Sequence, residues 1–221
     1  MNIPDDLFSA SWQWAAWIGW SATLFLALLR AGWRDFRQEG RFNLWLGMIV
    51  LSAVIWSLRA GVKPGLEMHF VGAALFVLCF GPWLGWIGLS VVLAAVTLNG
   101  GLGWKAYALN NLLTCGVGVA LSYAWLQLCE RRLPRHLFVY VFAAGFFGAG
   151  IAILGVGFAS VSAMAAAGIY PIDYLLDEYL PYYCLLAFSE AWLSGMLLTL
   201  FVIYRPAWVI TFDDKQYLNN S

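Results

Sequence analysis

Charge is scarce in this sequence: 11% of its 221 residues are Asp, Glu, Lys or Arg, twelve acids offset twelve bases, and there are two histidines. That balance excludes a nucleic-acid surface, which needs a concentrated positive field, and leaves charge placement to carry the information. Paired cysteine spacings are also missing. Cys79, Cys115, Cys129 and Cys184 are scattered through apolar runs, which excludes a disulfide framework or a C-x-x-C motif and leaves them as packing residues. No G-x-x-x-x-G-K-[ST] loop, H-E-x-x-H helix or Ser/His/Asp pattern occurs, so neither ATP hydrolysis, nor another enzymatic activity, nor an intrinsic cofactor is expected of this chain. The first apolar segment lacks a basic leader and a small-residue cleavage site, so Met1 is expected to stay in place.

What is abundant is apolar surface. Hydrophobic residues make up 62% of the chain and mean hydropathy is +0.76, the composition of an integral membrane protein. Counting runs near the roughly 20 residues that cross a bilayer gives seven expected spans. They lie at Ser11 to Leu29, Phe42 to Leu58, His69 to Phe80, Trp83 to Leu98, Leu109 to Leu128, Leu137 to Phe158 and Tyr182 to Tyr204. The third is short and is separated from the fourth only by Gly81-Pro82, which points to a tight helical hairpin. The expected fold is an all-α polytopic membrane bundle forming a single domain over 1–221. An external N-terminal segment (1–10) precedes the bundle (11–204), and a cytoplasmic tail (205–221) follows it.

With seven spans, Arg30, Arg34, Arg37, Arg41, Arg131, Arg132, Arg135, Arg205 and Lys215 fall on one side, nine of the twelve basic residues. Arg59, Lys63 and Lys105 fall opposite, together with Asp5, Asp6, Asp173, Asp177 and Glu178. The positive-inside rule then places the N-terminus outside and the C-terminus in the cytoplasm of a cell with this protein in its inner (plasma) membrane. Trp12, Trp14, Trp17 and Trp20 crowd the outer part of the first span, and Trp33, Trp45 and Trp208 lie near the inner surface, as expected of interfacial anchors. Ala144, Gly148 and Ala152, with Gly145 and Ala149 beside them, form a smooth helical stripe for close packing within the monomer or against a partner subunit.

Polar residues within such a chain are costly in hydrocarbon. They are Glu67, His69, Asn99, Asn110, Asn111, Thr114, Ser189 and Glu190. Glu190 is the one acid inside an expected span and must be protonated, paired or turned to a polar interior. Glu67, Met68 and His69 bring a carboxylate, a thioether and an imidazole to the external start of the third span.

Read in order, several landmarks resemble the CbiM/NikM family, the substrate-specific membrane components of energy-coupling factor (ECF) transporters for cobalt and nickel. They are Met1-Asn2-Ile3-Pro4-Asp5, similar to an M-H-I-P-D start, Met68-His69-Phe70-Val71-Gly72, Gly81-Pro82-Trp83 and Gly100-Gly101. Asn111-Leu112-Leu113-Thr114-Cys115-Gly116-Val117, similar to N-x-x-N-M-x-V, and Glu190-Ala191-Trp192-Leu193-Ser194-Gly195 complete the series. The resemblance implies uptake of a divalent transition-metal ion, with a membrane coupling subunit and ABC ATPase subunits as partners. It also implies a metal site built from the Met1 amine, residue 2 and His69. An all-nitrogen set of that kind suits late first-row divalent ions such as nickel. Asn111 is expected to orient the N-terminal loop and Glu190 to give internal support. Asn2 departs from the family histidine, removing one imidazole, and Thr114 and Cys115 depart from an Asn-Met pair. The alternative is a divergent relative of the same fold that binds a non-metal solute or serves as a membrane partner or sensor.

Overall fold

The computed structural model describes residues 3–33, 36, 40–58, 60–61, 63–101, 103–213 and 217. Helix α1 (Ala10–Arg30) and helix α2 (Arg41–Ser57) lead into a minimal antiparallel ribbon, β1 (Ala60–Gly61) against β2 (Glu67–Met68). Helix α3 (Ala73–Val96) follows, then α4 (Tyr107–Arg132), α5 (Leu137–Ala166), the short α6 (Ile172–Glu178) and α7 (Leu180–Tyr204). Among the described residues, four helical stretches are long and apolar enough to cross a membrane: Ala73–Asn99, Tyr107–Arg132, Leu137–Ala166 and Ile172–Tyr204. Helix α2 is apolar but shorter.

One of these stretches is not straight. At Gly81 the backbone takes φ 77° and ψ 172°, a region essentially closed to residues with a Cβ, and Pro82 follows with no N–H to continue the helical ladder. In an unbroken helix Phe76 and Gly85 would stand about 13 Å apart along the axis. Here a Cβ on Gly85 would lie 3.1 Å from the Phe76 carbonyl carbon. The chain therefore reverses at Gly81, and residues 73–80 and 82–96 form the two arms of a hairpin. At its tip the indole of Trp45 donates to the Leu84 carbonyl at 3.1 Å, and the Arg30 guanidinium sits 5.6 Å from the Trp83 ring centroid. Trp45 is thus a buried hydrogen-bond donor rather than the surface anchor expected from its position.

Small residues let the long helices close on one another, because van der Waals contact has to replace a hydrophobic drive between helices in lipid. A Cβ on Gly145 of α5 would meet Leu198 of α7 at 2.5 Å, and one on Gly157 would meet Tyr183 at 2.6 Å. Ala144, Ala149 and Ala152 are buried and a Cβ on Gly148 would meet Trp125 of α4 at 3.3 Å, so the smooth stripe is used inside the chain. Helices α4 and α5 each contain a wide π-helical stretch, at Asn111–Gly116 and Tyr140–Phe147. Behind α7 the chain stays on the bundle: the Thr211 N–H and hydroxyl both donate to the Leu78 carbonyl, at 3.3 and 3.0 Å, and Tyr217 is buried against Phe212 and Tyr140.

Candidate substrate site beneath the N-terminal segment

Residues 3–9 are folded against one end of the bundle. Ile3 is fully buried; its N–H donates to Asn110 Oδ1 at 2.8 Å and its carbonyl accepts from Asn110 Nδ2 at 3.0 Å. The Asn110 amide so replaces the main-chain partner that a buried extended residue requires. Asp5 Oδ1 accepts from the Ala106 N–H at 2.8 Å, and its carboxylate lies directly against Gly103, where any side chain would collide with it. Gln13 reaches back from α1 to donate to the carbonyls of Asp5 and Phe8. Pro4 and Leu7 press on Gly65, in the loop between β1 and β2, which also touches Met164. On its other flank that loop is held by Tyr170, whose hydroxyl donates to the Pro64 carbonyl at 3.0 Å, and by Tyr174, whose ring lies 4.0 Å from the Lys63 ammonium.

This loop leads through β2 to His69, which is 3% exposed. Its ring packs on Trp56 of α2 with centroids 4.2 Å apart, and Nδ1 lies 3.0 Å from the Phe70 carbonyl oxygen. A carbonyl only accepts, so Nδ1 carries the proton, and in the neutral ring the lone pair is then on Nε2. The Phe70 carbonyl thereby fixes the orientation of the ring.

Two residues beyond His69, the chain is gripped from α7. Glu190, 2% exposed, accepts from the Val71 N–H at 2.8 Å through Oε2 and from the Gly72 N–H through Oε1. Those N–H groups stand at the start of the 73–80 arm, where unpaired donors and the helix dipole favour a negative group. A cavity of about 180 Å³ adjoins the turn, lined among others by Trp56, Phe70, Gly72, Phe76, Glu190 and Ser194.

Of the expected site residues, His69 and Glu190 are brought to the same turn, whereas Met1 and Asn2 lie outside the described residues. The clasp on the N-terminal segment expected of Asn111 is made by Asn110 instead. Asn111 is fully buried, and its amide nitrogen and oxygen, like the Thr114 hydroxyl, have no hydrogen-bond partner among the described residues. Sequence reasoning places Asn110 among the buried polar residues without giving it this task; the signal for it is a second amide at the start of a helix beside a glycine-rich loop. Trp17 stacks on Tyr107, Trp20 meets the same ring edge-on, and the Trp17 indole donates to the Lys105 carbonyl at 3.2 Å, so these half-buried tryptophans also pack within the bundle. Among the described residues no three His, Cys, Asp or Glu side chains gather as a metal-binding group.

Residues 2–208 match the CbiM family, described as the cobalt uptake substrate-specific transmembrane region. A curated relative from Haloquadratum walsbyi, named for metal transport, is 27% identical over 99% of this chain and 98% of its own length. Two crystal structures share the fold. One, of a transition metal transporter, superposes with a TM-score of 0.78 at 16% identity, covering 90% of this chain and 92% of the other. The second, of a truncated transition metal transporter, gives 0.73 at 17% identity over 92% and 98%.

Proposed function

Because the chain belongs to the CbiM family, a family of metal-uptake membrane components, we propose that it is the substrate-capturing permease of an ECF-type transporter for a divalent transition-metal ion. The observation that carries the reading is the N-terminal segment, fastened by Asn110 and Asp5 to α4 and the turn before it, and seated by Pro4 and Leu7 on the loop that leads to His69. In this reading the Met1 amine and Asn2 complete the ligand set with His69 Nε2. Asn110 orients the segment, Asn111 keeps its amide for the loaded N-terminus, and Glu190 supports the turn from within. Nickel and cobalt are the ions the family resemblance favours. A membrane coupling subunit and ABC ATPase subunits supply the energy, since this sequence has no phosphate loop.

The reading takes the chain through the inner (plasma) membrane seven times, N-terminus outside and C-terminus in the cytoplasm. Contacts between distant residues support it. One end of the bundle gathers the N-terminal segment, the 63–66 loop, Lys105 and Tyr170. The other gathers Arg30, Trp45, Trp83, Tyr140 and Thr211. In this reading helices α1, α2, α4, α5, α7 and the 82–96 arm of α3 run between these ends, the shorter 73–80 arm covers the part beyond Glu190, and the surplus of arginine falls at the second.

The test is equilibrium binding of Ni²⁺, Co²⁺, Cu²⁺, Zn²⁺ and Mn²⁺ to the purified protein, beside His69→Ala and a form extended at its N-terminus. Micromolar or tighter binding of at least one ion, lost in both controls, is the expected result. Binding of none, or binding indifferent to both changes, overturns the metal site. Asn2 favours one other reading, a relative of the same fold that takes a non-metal solute or acts as a membrane partner or sensor; a metal-free result selects it.

A further inference from the structure

A buried acid is an expensive way to begin a helix. The ordinary device is a Ser, Thr, Asp or Asn from the adjoining chain, yet here the acceptor comes from Glu190, more than a hundred residues away in sequence. Both carboxylate oxygens are engaged, each by one of two consecutive main-chain N–H groups, so the carboxylate fixes the peptide planes on either side of Val71 as well as the helix start. Val71 is separated from His69 by a single residue, Phe70, and the carbonyl of that residue accepts the His69 Nδ1 proton at 3.0 Å. The direction of the Phe70 carbonyl depends on the peptide plane it shares with the Val71 N–H, since carbonyl and N–H of one trans peptide are coplanar. Glu190 holds the N–H end of that plane, and His69 leans on its oxygen end. Trp56, 4.2 Å away, closes the other face of the ring.

We propose that Glu190 is a positioning residue of the substrate site: it orients the peptide group between Phe70 and Val71, which in turn sets the tautomer and aim of the His69 imidazole. Glu190 does not touch the metal. The cavity beside the turn makes the clamp necessary, because without the carboxylate the 70–72 backbone has room to tilt toward Trp56 and Phe76 instead of being wedged in place by neighbours. The consequence for metal binding rests on the proposed function, whereas the orientation of His69 is readable with no metal present.

The experiment uses full-length protein in detergent with ¹⁵N-labelled histidine. With two histidines in the chain, His136 serves as an internal reference: it caps the start of α5 through its own Nδ1, far from this turn in sequence. In metal-free Glu190→Gln, whose amide cannot accept both N–H bonds, the His69 ring nitrogens are expected to move from a defined Nδ1–H pattern toward tautomer averaging, with His136 unchanged. Ni²⁺ affinity is expected to fall at least tenfold. Glu190→Asp, which keeps the charge but is shorter by one methylene, gives intermediate values in both measurements. Unchanged His69 resonances in folded Glu190→Gln, or equal disturbance of both histidines, overturn the proposal. Should the glutamine variant not fold, Glu190→Asp decides by the same comparison, and in the wild type the Val71 and Gly72 amide protons must resonate downfield as carboxylate-bound donors. Their absence there also overturns the proposal. A wild type that binds no Ni²⁺ while Glu190→Gln still shifts His69 removes the metal reading and leaves the positioning role standing.

Discussion

Asn110 and Ile3 exchange two hydrogen bonds, one amide side chain answering both the N–H and the carbonyl of one buried residue. Nothing else among the described residues holds Ile3 through its main chain so directly. Asn110→Ala is expected to leave a buried N–H and carbonyl unpaired and cost about 2 kcal/mol. A lowered unfolding midpoint in detergent, together with faster hydrogen exchange of the Ile3 amide, would register the loss.

Asn111 makes the opposite prediction. Its amide makes no hydrogen bond of normal geometry among the described residues and only borders the Tyr107 hydroxyl, so replacing it by leucine removes a desolvation penalty at the loss of at most that weak contact. Asn111→Leu is expected to keep or slightly raise the unfolding midpoint while weakening metal binding. Measuring both on one preparation separates the neighbouring amides: Asn110 for the fold of the segment, Asn111 for its loaded state.

The contact between Gly103 and Asp5 leaves no room for a methyl group. Gly103→Ala should therefore push the carboxylate off the Ala106 N–H, with a cost of about 1–3 kcal/mol from crowding. Hydrogen exchange at Ala106 is the readout. Acceleration confined to Ala106 and the N-terminal segment is expected, with α7 left as in the wild type.

Gly81→Ala places a Cβ on a backbone at φ 77°, a strain of about 1–3 kcal/mol. Thr211→Val acts on the same arm from its tip by removing the hydroxyl bonds to the Leu78 carbonyl and to the buried Tyr140 hydroxyl while the N–H bond remains; about 1–3 kcal/mol is expected. Both should lower the unfolding midpoint. Only the glycine change should also disturb residues 82–96, as followed by exchange of their amides.

Much of this architecture was legible in the sequence because hydrocarbon demands long apolar helices, and because Gly-Pro at positions 81 and 82 is incompatible with an uninterrupted one. His69 was legible by its rarity. The choice between Asn110 and Asn111 was not, since adjacent helical residues point about 100° apart and the π-helical turn from Asn111 to Gly116 rotates the facing of the later turns of α4. The grip of Glu190 on Val71 and Gly72 was invisible for a different reason. Its partners are main-chain groups, which every residue possesses, so no side-chain pattern advertises them. Trp45 was misjudged because an indole near a helix end reads as an interface residue until the Leu84 carbonyl near the hairpin tip comes within its reach.

A reversal alters the arithmetic of sidedness. The polypeptide that enters the bundle at Ala73 turns back at Gly81, so a stretch that hydropathy counts as one straight crossing runs in two directions. In the seven-span reading proposed above, the loops that follow therefore face the opposite compartment from the one a simple count of long apolar helices would assign. On that reading, one glycine torsion decides which compartment meets each later surface of the protein.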